Sequence, residues 1–133
     1  NCKYGRLVFN KCGNDIYGIF NEYDDTDSAN GFAYSDLKRG VIIRYSGETN
    51  KITKVREMKD GQQLMGATAQ YVIYRQDKQV RISTLSGEKD HCLHDGENEG
   101  SVLCTEDAYF WRDIKMTAVE TDKANTKWEN YFD

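Results

Sequence analysis

The side chains best equipped for chemistry are four cysteines, two histidines, and a short set of cations and tyrosines on apolar stretches. His91 and His94 flank Cys92, and Cys104 follows twelve residues later. A His-Cys-x-His cluster with a further Cys has the ligand types of a tetrahedral zinc site. The favoured account is different: Cys92 is a half-cystine in an exposed loop and the histidines are incidental. The polar stretch from Asp24 to Gly31 fails as a calcium loop, because Ala29 holds a ligand position and no Glu follows at the right distance. The expectation is no metal and no cofactor.

Acid–base and nucleophilic chemistry fare no better. No Ser-His-Asp arrangement is recognisable, and a catalytic Cys would have to be free and activated. No phosphate-cradling glycine loop occurs. Carboxylates are plentiful but fall in loops; Glu57 is the one strand carboxylate that could act as a base, and it lacks an evident acid partner. Arg44, Tyr45, Lys54, Arg56, Tyr74 and Arg75 can contact phosphate or a protein partner, but Arg, Lys and Tyr are poor bases near neutral pH. The residues therefore read as a binding surface without a catalytic centre.

Charge frames what could bind. The net charge is −4, yet the segment from Lys38 to Arg81 holds ten basic residues against four acidic ones. A basic centre can meet RNA or an acidic protein. Long cations that cover apolar strands and discourage edge pairing explain it as well, and this is the favoured account. Any RNA binding is expected to be weak and salt-sensitive.

The frame that must position these residues is one domain. The 133 residues, 38% of them hydrophobic, suffice for one core, and no proline-bearing linker divides them. No run of 18 apolar residues occurs, so no membrane segment is expected. The even number of cysteines, none in a C-x-x-C, fits an oxidising, extracellular setting. Asn1 at the start fits a leader already removed. Four cysteines allow three connectivities, and their spacing does not choose among them.

Tyr4 to Cys12 reads as a strand. Ile16, Ile19, Phe20 and Tyr23 then stand at i, i+3, i+4 and i+7, which predicts an amphipathic helix after Gly13. Val41–Tyr45 with Lys51–Met58, and Tyr71–Tyr74 with Val80–Thr84, read as two hairpins. The parity of Ile52 and Val55 is off by one, which predicts a bulge or twist. Gly61–Gly66 and Gly87–Gly100 read as loops. The aromatics of the C-terminal stretch, Tyr109 to Trp111 and Trp128 to Phe132, either dock a terminal helix onto the sheet or face a partner, and docking is the favoured account.

From Val41 to Gly96 the order VIIRY, TKVREM, LMGATAQYVIYRQDKQV, RISTLSG, KDHCLHDG resembles the ribonuclease-like secreted effectors of powdery mildew fungi, the RALPH group, and behind them the fungal guanyl-specific ribonucleases. FNKCGNDI matches the opening of that family. The resemblance implies an α+β fold: a short N-terminal helix packed on an antiparallel sheet, with a ribonuclease-like core over about 7–96 and a C-terminal extension over 97–133. It implies disulfides Cys12–Cys92 and Cys2–Cys104. The family's catalytic groups are missing, since no His precedes His91 and Ser83, Thr84 and Leu85 stand where a second His belongs. The resemblance thus implies a pseudo-ribonuclease. Such an effector would be secreted, monomeric when free and active in a plant host cell, where it would bind a host protein or RNA and could be recognised by an immune receptor as an avirulence factor. Two other readings stand beside it: a small active ribonuclease using Glu57 or His91, and an unrelated extracellular β-rich binding or toxin module.

Overall fold

The computed structural model describes residues 7–23, 37–95, 100–113 and 122–132. Cys2, the Asp24–Gly31 stretch and Ile114 lie outside them. Among the described residues eleven strands form three antiparallel sheets, each a meander in chain order. Sheet A holds β1 (Leu7–Cys12), β2 (Asp15–Tyr23), β3 (Leu37–Ser46) and β4 (Ile52–Glu57). Sheet B holds β5 (Gln62–Ala67), β6 (Tyr71–Gln76), β7 (Gln79–Thr84) and β8 (Asp90–Asp95). Sheet C holds β9 (Gly100–Cys104), β10 (Ala108–Asp113) and β11 (Asp122–Lys127).

Sheet B is the middle layer, and the reason is written in β6. Its run Tyr-Val-Ile-Tyr is buried at every position, as a strand covered on both faces must be. Val72 and Tyr74 join Tyr17, Ile19 and Ile42 of sheet A in one core. Tyr71 and Ile73 join Cys104 and Tyr109 of sheet C in a second core, with Val80 and Ile82 of β7. Side chains alternate across a strand, so one segment feeds both cores.

The α+β expectation is overturned. Among the described residues there is no α-helix, and the predicted helix from Ile16 to Tyr23 is β2. The i, i+3, i+4 pattern arose because β2 carries apolar residues on both faces. Tyr17 and Ile19 point to the core, while Ile16 and Phe20 lie on the other side, part-exposed. Asn21 then decides the matter. It is buried on the core side, where its amide donates to Leu64 O (2.8 Å) and its Oδ1 accepts from Leu64 N–H (2.9 Å). Those bonds satisfy the backbone of β5 where a bulge after Leu64 breaks its ladder. Gly40, opposite Asn21, leaves room: a Cβ there would sit 3.0 Å from Leu64 and 3.1 Å from Asn21 Oδ1. A helix would turn Asn21 away from β5.

Both predicted hairpins form. In the second, Asp77 takes φ 53° in a two-residue turn, the left-handed geometry that Asp tolerates. The off-by-one parity in β4 is a bulge: Ile43 pairs Lys54 and Ile42 pairs Arg56, leaving Val55 as the extra residue. Gly61–Gly66 is mostly β5 and the Gly87–Gly100 loop contains β8, so both loop expectations are corrected. Glycines and polar residues hid strands that pair with well-signalled neighbours. Of the C-terminal aromatics, Tyr109 is buried on β10, and Trp128 and Phe132 pack on the second core at a 3-10 turn, Trp128–Tyr131, rather than on a helix. Trp128 stacks on Tyr71 with centroids 5.6 Å apart.

Candidate binding surface

Sheet A uses one face for the core, and the other is also apolar. Register fixes its rows across β1 to β4: Lys11–Ile16–Tyr45–Ile52, then Phe9–Gly18–Ile43–Lys54, then Phe20–Val41–Glu57. Phe9 is 55% exposed and Ile52 is 67% exposed, while Ile16, Phe20, Val41, Ile43 and Tyr45 are part-exposed. Gly18 holds the centre open. A Cβ there would come 3.0 Å from the Phe9 ring and 3.3 Å from Ile43, so the ring lies over bare backbone.

One end of this face is ionic. Arg39 Nε meets Glu22 Oε2 at 2.5 Å and its Nη1 reaches Glu57 Oε1 at 3.8 Å; Lys54 Nζ donates to Glu57 Oε2 at 3.0 Å. The Lys54 hydrogen bond and charge, with Arg39 behind them, hold the Glu57 carboxyl below its usual range. The one strand carboxylate suited to be a base is thereby made a weaker one. β4 is an edge strand, and its bulge and Lys54 blunt it against strand addition.

The six sequence-predicted surface residues do not form one patch. Tyr45 and Lys54 share the outer face, where Tyr45 Oη donates to Asn50 Oδ1 (2.7 Å). Arg44, next to Tyr45 in β3, takes the other face of sheet A and lies 3.6 Å from Asp15. Arg56 turns inward to Ser83 Oγ (3.0 Å) and bridges sheets A and B. Tyr74 is buried and donates to Asp90, which also accepts from Arg81 Nε at 2.6 Å. Burial first, and Asp90 second, push the Tyr74 phenol up to about 12. Arg75 is half-buried on the sheet C side of β6. Arg39, Arg44, Lys54 and Arg81 of the basic segment are all ion-paired, so the segment's charge is spread over separate faces and partly neutralised.

A second concave region flanks Trp128. On one side a groove of about 520 Å³ is lined by Val55, Arg56, Gln70, Thr84, Leu85, Ser86 and Glu88. On the other a hollow of about 380 Å³ meets Ala69, Glu106, Asp107 and Glu129. Trp128 Nε1 donates to Glu106 O at 3.0 Å, which holds the ring as the wall between them. Among the described residues no three His, Cys, Asp or Glu side chains cluster as metal ligands, and no helix is long and apolar enough to cross a membrane.

No protein-family model matches this sequence, and neither a curated protein nor a solved structure matches it.

Phe9, Ile16, Phe20, Ile43 and Ile52 were not singled out as a surface from sequence. The signal was there: Val41-Ile42-Ile43 is apolar at both parities, as is β2. Two neighbouring strands that are apolar on both faces call for two covered faces.

Proposed function

We propose that this chain is a non-catalytic β-sandwich binding protein that engages a protein partner through the outer face of sheet A. The observation that carries this is the apolar patch around Phe9, Ile43, Tyr45 and Ile52, on a face that the core of the protein does not use. Contiguous exposed apolar area of this kind marks association surfaces, whereas scattered single residues do not. Its ion-paired end supplies the polar rim that interface cores have. RNA is the weaker candidate, because the cations face different ways and several are neutralised.

The ribonuclease-like scaffold is withdrawn with the helix it required. The proposal keeps one part of that reading, a secreted effector that acts by binding a host protein, and rests it on a surface instead of an enzyme fold. It also accommodates a β-rich extracellular binding module. Affinity capture from host extract tests it, using wild type beside Phe9→Ser/Ile52→Ser and beside Leu103→Ser, an exposed apolar residue on sheet C. A protein held by wild type and the Leu103 variant but lost by the double variant is expected. Capture that survives the double variant, with folding intact, overturns the proposal.

A further inference from the structure

The groove beside Trp128 differs in chemistry from the sheet A face. Its volume, about 520 Å³, falls within the range of small-molecule sites. None of Cys12, Cys92 and Cys104 lines it; all three are free thiols in this structure, and the Cys12–Cys92 bond implied by the family resemblance is not formed.

Arg56 sets the groove apart. Strict alternation along β4 would send Val55 and Arg56 to opposite faces, but the bulge at Val55 lets both line the groove. Arg56 Nη1 donates to Ser83 Oγ at 3.0 Å and to Thr84 O at 3.5 Å. Ser83 Oγ in turn donates to Thr84 O at 2.9 Å. Gly87 makes room for the guanidinium, since a Cβ there would lie 2.9 Å from Nη2 and 3.0 Å from Cζ. These contacts fix the plane of the group, and all are to neutral atoms. Among the described residues no carboxylate pairs with Arg56, whereas Arg39, Arg44 and Arg81 are each ion-paired. Its Nε–H and Nη2–H, the parallel donors that match a carboxylate, have no acceptor among the described residues. A half-buried, oriented and unneutralised guanidinium favours an anionic ligand group.

The rest of the lining says what carries that group. Trp128 is fixed by its stack on Tyr71, with centroids 5.6 Å apart, and by Nε1 donating to Glu106 O at 3.0 Å. It is half-buried, and what Tyr71 leaves uncovered lines the groove beside Leu85. The polar wall offers acceptors as well as donors: the Gln70 amide, the Ser86 hydroxyl and the Glu88 carboxylate. Leu85 N–H donates to Gln70 O at 3.1 Å, which ties Gln70 to that wall. A phosphate only accepts, and Glu88 would repel it. A sugar ring has hydroxyls that both donate and accept, and a C–H face that packs on the electron-rich face of an indole.

We propose that this groove binds an acidic oligosaccharide, with a uronate carboxylate on the Nε–Nη2 side of Arg56 and a sugar ring against Trp128. The inference is independent of the sheet A surface.

The test is to titrate the full chain with trigalacturonate and with its methyl ester, followed by calorimetry and by NMR of the Gln70 amide and the Trp128 indole N–H. Saturable shifts of both signals are expected with the acid. The ester keeps the shape and loses the charge, so it should bind about tenfold more weakly or worse. Arg56→Lys keeps the charge and loses the fork, and should weaken the acid by a similar factor. Gln70 is exposed, so Gln70→Ala should fold normally and bind several-fold more weakly, which keeps the test open if Arg56→Lys folds poorly. Phe9→Ser/Ile52→Ser should bind like wild type. No saturable shift up to about 10 mM, equal affinity for acid and ester, or a nucleoside monophosphate shifting these signals where the saccharide does not, overturns the proposal. Binding lost in Phe9→Ser/Ile52→Ser and kept in Gln70→Ala also overturns it, because that places the saccharide on sheet A.

Discussion

Replacing Asn21 with Ala probes the contact that makes β2 a strand and seats sheet A on sheet B. The Asn21 amide both donates to and accepts from Leu64, at 2.8 and 2.9 Å, and is buried. Truncation leaves the N–H and the C=O of Leu64 without those partners. A buried polar group left unsatisfied costs about 1–3 kcal/mol, so the pair should cost about 2–4 kcal/mol. Against a total stability of about 5–15 kcal/mol for a domain, that is a large fraction. Urea unfolding followed by tryptophan fluorescence should show a lower midpoint with an unchanged slope. Tyr45→Phe, which removes an exposed hydrogen bond to Asn50, is the control and should stay within about 0.5 kcal/mol of wild type. If Asn21→Ala matched that control, the bridge to β5 would not be what orients β2, and the layer assignment built on it would fail.

Other outcomes follow from the same geometry. The folded Tyr74 phenol sits at about 12, above its ordinary value near 10, so the folded state keeps a proton that the unfolded chain gives up. Its contribution to stability is full below pH about 10 and is lost as pH rises toward about 12, a loss that Tyr74→Phe should reduce in alkaline unfolding curves. Gly66→Ala places a Cβ 2.5 Å from Cys104 Sγ; it should destabilise by about 1–3 kcal/mol, and a paired Cys104→Ala should recover part of that in a double-mutant cycle. Arg56→Ala removes the hydrogen bond from sheet A to Ser83 and should cost about 1–2 kcal/mol in the same unfolding assay. Single-stranded RNA incubated with the pure protein should yield no cyclic-phosphate products above buffer; turnover abolished by Glu57→Gln with folding intact would contradict the non-catalytic reading.

How much of this was legible in the sequence differs by element. The hairpins of β3–β4 and β6–β7 were readable because β-branched and aromatic runs flank short polar turns, and the bulge at Val55 showed in the parity of β4. β2 was misread because a strand with two apolar faces can mimic helical spacing, and the residue that settles it, Asn21, is polar. β5 was hidden because Gln62, Gly66 and Ala67 carry little strand propensity and owe their place to β6 and to Asn21. β8 was hidden for the same reason, in the charged run Asp90–Asp95 that pairs with β7. For the candidate surface, individual cations and tyrosines could be named, but which face each takes depends on register. Bulges at Val55 and Met65 shift that register, and the turn of Arg56 toward Ser83 follows from the first of them.

The central claim is that the outer face of sheet A, and not the groove beside Trp128, contacts the partner. Hydroxyl-radical footprinting of the free protein and of its captured complex tests it most directly. In the free protein Phe9, Tyr45 and Ile52 should be oxidised readily, and in the complex they should be protected while Trp128 and Leu85 keep their free-state rates. Protection confined to Trp128 and Leu85, with Phe9 and Ile52 unchanged, would contradict the account.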